Sequence, residues 1–355
     1  MKFAVVPTID EYLEDRFIST FDDNGNEIFR DKFAEEFAGE FRKRGDELHT
    51  LDMYKDWREV DCIFLDWPRW SWIARLSKAG VLDRTIYCNA EPTSVIPENC
   101  PEGYKKLSKI FPYILTWNDD WVDNVNIFKK NIPYRFVIDF GEKSFAEKKL
   151  VTAITANKSS KEAGELYSER KRVYEYFEKN HPEEFDFYGF GWDANEHPGY
   201  KGHVDSKIKI YQNYRFVVCL ENTAGLRDYV TEKIYDCLCA GVIPIYGGSY
   251  NVDEYVPKNC YIDYFSFESY EQMYEYINNM TEIEYNKYRD SIKEWLEKTD
   301  HSELSTERYV DYLYEVAFLK KSFSLKKLIK VYIWIRGAIE EIRNVLVDVK
   351  HRIGI

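Results

Sequence analysis

Short apolar runs recur along this chain with helix-patterned stretches between them, and the rhythm starts twice. Residues 3–9, 62–67, 85–89, 113–117 and 136–140 read as buried strands, with helical patterns at 31–44 and 119–129 among them. After a charged link at 141–149 the alternation resumes, with apolar runs at 150–155, 185–188, 216–220 and 242–246 and helical patterns at 164–179 and 231–240. Strands that alternate with helices imply parallel sheets covered on both faces. The expectation is an α/β chain of two domains, residues 1–145 and 146–319, with a ligand cleft at the C-terminal ends of the strands.

Charge and cysteine usage remove several function classes. The net charge of −13 leaves no broad basic face, so no nucleic-acid partner is expected, whereas a small anionic ligand is not excluded. The seven cysteines form no C-x-x-C pair, and Cys62, Cys88 and Cys219 fall inside apolar runs, which reads as a reduced core. The chain opens on a strand-like run from Lys2, and no apolar stretch reaches about 18 residues, so a cytoplasmic location is expected. His181, His197, His203 and His301 lack metal-ligand spacing, and no metal site is expected.

Residues 320–355 read as a separate amphipathic helix. Nine Lys/Arg stand there against three Asp/Glu, around an apolar seam of Leu325, Leu328, Tyr332, Ile335, Ile339, Ile342, Leu346, Val349 and Ile353 that steps by three and four. Two partners are open for it: an anionic membrane surface, which would make the protein peripheral on the inner membrane, or a second copy in a homodimer. Gly337 is a candidate bend.

No G-x-G-x-x-G follows the first strand and no G-x-x-x-x-G-K-[ST] occurs, so dehydrogenase and P-loop readings fall. An Asp-x-Asp triplet that would hold a diphosphate through a metal ion is also missing. The most informative segment runs from Tyr214 to Gly248: a buried strand, a polar loop, a helix opening at Thr231-Glu232-Lys233, a stop at Gly241 and a second strand. Free N–H groups and the positive dipole end of a helix after a strand attract an anion, and Lys233 adds a full charge. The alternative is a helix capped by Asp228 or Thr231 with Lys233 merely solvated.

Glu221-Asn222, Asp228-Tyr229-Val230-Thr231-Glu232-Lys233, Ala240-Gly241-Val242-Ile243-Pro244-Ile245 and Gly247 resemble the signature of the α-1,3/4-fucosyltransferases of glycosyltransferase family 10, bacterial type. The likeness is strong over residues 214–248 and weaker across 85–265. It implies the GT-B architecture, two Rossmann-like domains facing across a cleft, the first on the acceptor side and the second binding the nucleotide sugar, followed here by the C-terminal amphipathic helix. It also implies an inverting transfer of L-fucose from GDP-fucose to a glycan hydroxyl, α-1,3 to a GlcNAc-type unit of a surface polysaccharide. By the same resemblance, Lys233 holds the diphosphate, Glu232 contacts ribose or fucose, Tyr229 lies against the nucleotide, and Glu221 and Asn222 face the sugar.

The helix pattern from Ser168 is similar to the family stretch that supplies a diphosphate-binding arginine, which selects Arg170 with Arg172 as the alternative. Phe187-Tyr188-Gly189-Phe190-Gly191 resembles the family's Tyr-Gly-x-Gly turn, although Phe190 stands where a basic residue is common. Glu91, just beyond the run at 85–89, is the expected general base, placed on the first domain opposite the nucleotide; Asp119 or Asp120 would replace it otherwise. Trp117 and Trp121 fit either acceptor stacking or core packing. By the same resemblance, GDP-fucose is the expected donor substrate, with no divalent ion and no further cofactor expected to be required. Transfer from another nucleotide sugar, or an inactive glycan- or nucleotide-binding relative, is the alternative function.

Overall fold

A computed structural model describes every residue except 23, 320–322, 324, 354 and 355, and side chains as far as residue 347. The chain divides into two compact units: Met1–Ala90, Glu98–Pro133 and Ser302–Ile355 form the first, Glu91–Pro97 and Tyr134–His301 the second. This division differs from the expected boundaries at 145 and 319, in that the chain's last helices join the first unit and a short segment after residue 90 joins the second.

In the first unit, β1 (Lys2–Val6), a hairpin of β2 (Ser19–Phe21) and β3 (Glu27–Phe29), α1 (Lys32–Lys43), β4 (Glu47–Thr50), β5 (Cys62–Leu65), α2 (Trp70–Ala79), β6 (Thr85–Tyr87), α3 (Pro101–Leu107), β7 (Tyr113–Thr116) and β8 (Ile127–Lys129) follow one another. The sheet order is β4-β1-β5-β6-β7-β8, all parallel. Period-two alternation along β1 fills both faces. Phe3 and Val5 pack with Phe37 and Phe41 of α1, whereas Ala4 and Val6 share a core with Ile63, Leu65 and Ile73.

The second unit holds β9 (Lys149–Ile154), α4 (Tyr167–Asn180), β10 (Phe185–Tyr188), α5 (Lys207–Tyr211), β11 (Tyr214–Leu220), α6 (Glu232–Cys239), β12 (Ile243–Gly247), β13 (Ile262–Asp263), α7 (Tyr270–Asn278) and α8 (Glu282–Lys298). Its sheet order is β10-β9-β11-β12-β13, again parallel throughout. Strand order reverses between β9 and β11 here and between β1 and β5 in the first unit. Such switch points leave a crevice outside the strand ends, because the two flanking connections depart to opposite sides.

Two expected elements are replaced by others. Residues 136–140 form no strand: the Asp139 N–H bonds the Cys239 carbonyl at 2.9 Å, and the Phe140 ring fills the space beside Gly241, where a Cβ would approach it to 2.5 Å. Phe136 packs against Tyr235 and Trp295 within the second unit, while Val137 and Ile138 are exposed. Residues 119–129 form a short turn at Asp119–Trp121 and then β8, because the Asp123 carboxylate accepts the N–H groups of Val125, Asn126 and Ile127 at 2.8 Å each and draws the backbone out of the helical path.

α9 (Thr306–Ala317) and α10 (Lys327–Ile353) complete the first unit. Val310, Leu313 and Val316 of α9 cover the face of the sheet that carries Phe3 and Phe64. α10 runs unbroken through Gly337, which is a contact and not a bend: a Cβ there would lie 2.8 Å from the Ala74 Cβ and 3.1 Å from the Trp70 carbonyl of α2. Ile333 is fully buried against the same core, Arg336 lies 4.5 Å over the Trp70 ring, and the Glu340 carboxylate accepts the Ser71 N–H at 2.7 Å, at the N-terminal end of α2. Most of the expected seam stays in the open: Leu328, Tyr332, Ile335, Ile339, Ile342 and Leu346 are exposed, as is Trp334. Val349 and Ile353 lie outside the described side chains. Among the described residues, no helix is long and apolar enough to cross a membrane.

Candidate active site

The site grows from the end of β11. Glu221, the residue after that strand, is fully buried, and its carboxylate accepts the Thr231 N–H at 2.8 Å, the Thr231 hydroxyl at 2.8 Å and the Lys233 ammonium at 3.1 Å. A carboxylate without water would be costly here; the helix N-terminus and the lysine neutralise it. Thr231 is the cap of α6, its hydroxyl turned to the Lys233 N–H. Asp228, the other expected cap, is held elsewhere: it takes a left-handed backbone with φ +61°, and its carboxylate accepts from Asn251 at 2.7 Å and Tyr255 at 2.9 Å. Those bonds stabilise a conformation that a residue other than glycine seldom adopts.

Lys233 therefore lies against the helix end, one-fifth exposed, and is not the solvated lysine of the alternative reading. Burial opposes its charge, but Glu221 and Glu232 hold its pKa above the ordinary value. Glu232 is half exposed; burial works against its ionisation, yet Lys233 and Lys207 pull its pKa down to about 2. Lys207, on α5, was not suspected from the sequence. It reaches Asp236 at 2.7 Å and Glu232 at 3.5 Å, a pairing between separate helices that no local spacing signals.

Arg170 and Arg172 separate clearly. Arg170 is buried, and its Nη2 donates to the Leu220 carbonyl at 2.5 Å and the Asn222 side-chain oxygen at 3.1 Å, while its Nε is buried with no hydrogen-bond partner among the described residues. Arg172 points outward and pairs with Glu169. One turn of α4 thus sends Arg170 to the switch point and Arg172 to the surface. Asn222 is tied in by its own carbonyl, which accepts the Leu166 N–H at 3.0 Å. Tyr229 is buried beside it, with the Asn222 amide 3.4 Å from its hydroxyl.

The position of Glu91 corrects the expectation that it belongs to the first domain. The segment Glu91–Pro97 is part of the second unit, and Ser94 anchors it by a 2.5 Å bond to the Thr223 hydroxyl. Burial raises the pKa of Tyr167, Arg170 opposes that rise, and the charges of Glu91 and Lys233 act on the same phenol in opposite senses. The Glu91 charge also helps raise the pKa of Tyr229, after burial and Glu221. All seven candidate residues, Glu91, Arg170, Glu221, Asn222, Tyr229, Glu232 and Lys233, thereby belong to the second unit, and Arg170, Glu221, Asn222 and Lys233 meet at the end of β11.

Others fall outside that group. Asp119 pairs with Lys129 at 2.6 Å in the first unit, and Trp117 is core, its ring 5.3 Å from that of Trp121. In the turn after β10, Gly189 has φ +131° and a Cβ would meet the Thr155 carbonyl oxygen at 1.9 Å, so only glycine fits; Phe190 is exposed and lies on the His203 ring at 4.1 Å. Among the described residues, no group of three His, Cys, Asp or Glu is placed to hold a metal ion.

Known proteins resemble this chain in fold and, over shorter stretches, in sequence. An α1,3-fucosyltransferase solved with GDP aligns over 92% of this chain and 92% of its own, with a TM-score of 0.58 at 15% identity, so the two-unit GT-B fold is the shared feature. An α-(1,4)-fucosyltransferase of Arabidopsis thaliana is 37% identical over 78 residues, 21% of this chain and 19% of the relative. The α-(1,3)-fucosyltransferase FucT of Helicobacter pylori is 33% identical over 91 residues, 26% of this chain and likewise 19% of the relative. The matched stretches thus span about a fifth of those relatives. The family described as Glycosyltransferase family 10 (fucosyltransferase) C-term matches residues 145–319, the segment that carries α4, β11 and α6. Residues 145–319 are thus a C-terminal domain of glycosyltransferase family 10, the fucosyltransferases.

Proposed function

We propose that the protein is an inverting fucosyltransferase that moves L-fucose from GDP-fucose to a hydroxyl of a glycan acceptor, α-1,3 on a GlcNAc-type unit of a surface polysaccharide. The observation that carries the reading is that Arg170 and Lys233 both reach the end of β11, Arg170 at the Leu220 carbonyl and Lys233 at Glu221: two cations, one with a buried Nε that has no partner among the described residues, where a nucleotide diphosphate would lie. As the bond to fucose breaks, negative charge develops on the leaving GDP, and both cations together with the N-terminus of α6 stabilise it. Glu91 takes the proton from the attacking acceptor hydroxyl. Glu232 contacts ribose or fucose and Tyr229 flanks the nucleotide. Glu221 acts through Lys233, holding its ammonium in place. No divalent ion is assigned a part, and none is expected to be required.

The exposed side of α10 suits attachment from the cytoplasm to an anionic inner-membrane surface, since Lys327, Lys330 and Arg343 stand among Leu328, Trp334, Ile335 and Ile342. Flotation with anionic vesicles tests this, and self-association by light scattering without flotation would favour the homodimer. For the activity, purified protein is assayed with GDP-fucose and a glycan array, with and without EDTA. Fucose transfer that survives EDTA is the expected result. Preferential use of a UDP-sugar, or GDP binding without turnover on any acceptor, would overturn the assignment.

A further inference from the structure

The first unit has its own crevice at a switch point, and none of the residues discussed above accounts for it. A pocket of about 270 Å³ opens at the carboxyl ends of the strands. Thr8 beyond β1, Asp66 beyond β5, Ala90 beyond β6 and Lys130 beyond β8 line it, together with aromatic walls that include Tyr12 and Tyr309. The volume lies just below the roughly 300–1,000 Å³ of ordinary ligand pockets, which suits one six-membered ring and not a dinucleotide.

Its polar groups are built in. The Thr8 hydroxyl donates to Asp66 at 2.5 Å and orients that carboxylate. Lys130 is 1% exposed, donates to the Cys88 carbonyl at 2.9 Å and lies 5.3 Å from the centre of the Tyr309 ring. Arg30 also borders the pocket, but Asp31 pairs with it at 2.9 Å and its guanidinium covers the rings of Tyr12 and Phe17. Asp66 offsets Lys130 and Asp31 offsets Arg30, so the pocket carries no net charge. An anionic ligand meets the Asp66 carboxylate, and a wholly apolar one excludes water from Asp66 and Lys130 while leaving each with the one protein hydrogen bond just described. A neutral ring of vicinal hydroxyls with a C–H face satisfies both: hydroxyls donate to the carboxylate and accept from the ammonium, and the C–H face lies on aromatic carbon.

We propose that this pocket is an acceptor subsite for one neutral pyranose, with Asp66 and Lys130 fixing its hydroxyls and Tyr12 and Tyr309 its apolar face. The proposal rests on the transferase reading and adds to it the side chains that select the acceptor. Ala90 lines the pocket, and the next residue in the chain is Glu91, one Cα step of about 3.8 Å away.

The test uses the full chain and methyl β-pyranosides of glucose, galactose and N-acetylglucosamine, followed by saturation-transfer NMR and by acceptor kinetics. At least one glycoside should bind. Asp66→Asn should weaken it about tenfold or more and raise the acceptor KM alike, as expected for one charge-assisted hydrogen bond, while leaving GDP affinity unchanged. Tyr12→Ala, at the pocket wall, should act in the same direction and guards against a folding defect in the buried Lys130→Met. Failure of every glycoside to bind, or binding and KM unmoved in Asp66→Asn and Tyr12→Ala while fucose is still transferred, overturns the subsite and leaves the transferase standing. Glycoside binding that Asp66→Asn removes, in a protein that turns over no GDP-fucose, keeps the sugar site and overturns the transferase.

Discussion

Replacing Lys233 by Met separates what this lysine does for the fold from what it does for a ligand. Its ammonium lies 3.1 Å from the fully buried Glu221 carboxylate and 3.0 Å from the Thr231 hydroxyl. Removing one partner of a buried pair strands the other charge, at about 3–5 kcal/mol; because Lys233 is one-fifth exposed and water screens the pair in part, about 2–4 kcal/mol is expected. For a unit of this size that lowers the melting temperature by roughly 5–15 °C in a calorimetric scan. GDP affinity, measured by titration calorimetry on the same preparation below the transition, should fall about 10- to 150-fold, the equivalent of one lost charge-assisted hydrogen bond of about 1.5–3 kcal/mol. The double variant with Glu221→Gln removes the stranded charge and should regain more than half of the lost stability without regaining GDP affinity. A melting temperature and GDP affinity both unchanged in Lys233→Met would refute the reasoning, and recovery of GDP affinity in the double variant would show that the lysine acts only through the fold.

Glu91→Gln should keep GDP affinity, because the amide has the same shape, and slow fucose transfer by about 10²–10⁴-fold; loss of both together would make Glu91 a donor ligand. Arg170→Lys should weaken GDP binding and leave the exposed Arg172→Lys variant as a near-neutral control, both read by titration calorimetry. Glu232 titrates below the ordinary carboxylate value, so it contributes stability that is fully present above about pH 4.5 and lost as the pH falls toward about 2; in Glu232→Gln, unfolding free energy should fall less between pH 5 and pH 3 than in the wild type. Gly337→Leu drives a side chain into Ala74 and the Trp70 carbonyl, and should loosen α10 from α2 at a cost of about 1–3 kcal/mol, read as faster proteolytic release of the C-terminal helix; an unchanged cleavage rate would contradict the close packing.

Strand identity was legible from residue 1 onward wherever a strand is buried on both faces, because continuous apolar runs such as Cys62–Leu65 and Tyr214–Leu220 leave the chain no other way to exclude water. The capped opening of α6 was legible too, since Thr231, Glu232 and Lys233 are adjacent in the chain and a cap, a dipole and a charge act over one turn. Short edge strands escaped notice: β4, β8 and β13 are two to four residues long and draw their stability from a neighbour's ladder, which local pattern does not register.

What only the tertiary structure decided depends on contacts between residues far apart in the chain. The sequence alone left Arg170 and Arg172 open; in the fold Arg170 turns to the Leu220 carbonyl at the end of β11 and to Asn222 just beyond it, whereas Arg172 pairs with Glu169. It placed Glu91 with the first domain because chain continuity suggests so, whereas the Ser94 bond to Thr223 binds that segment to the second unit. It set residues 320–355 apart as a tail, because heptad spacing reports that an apolar face exists but not what covers it; Ile333, Gly337 and Glu340 reach α2 only once the sheet has brought the two helices together. Periodicity and capping are local and survive in one dimension, whereas the partner of a buried charge or an apolar face is chosen by the fold.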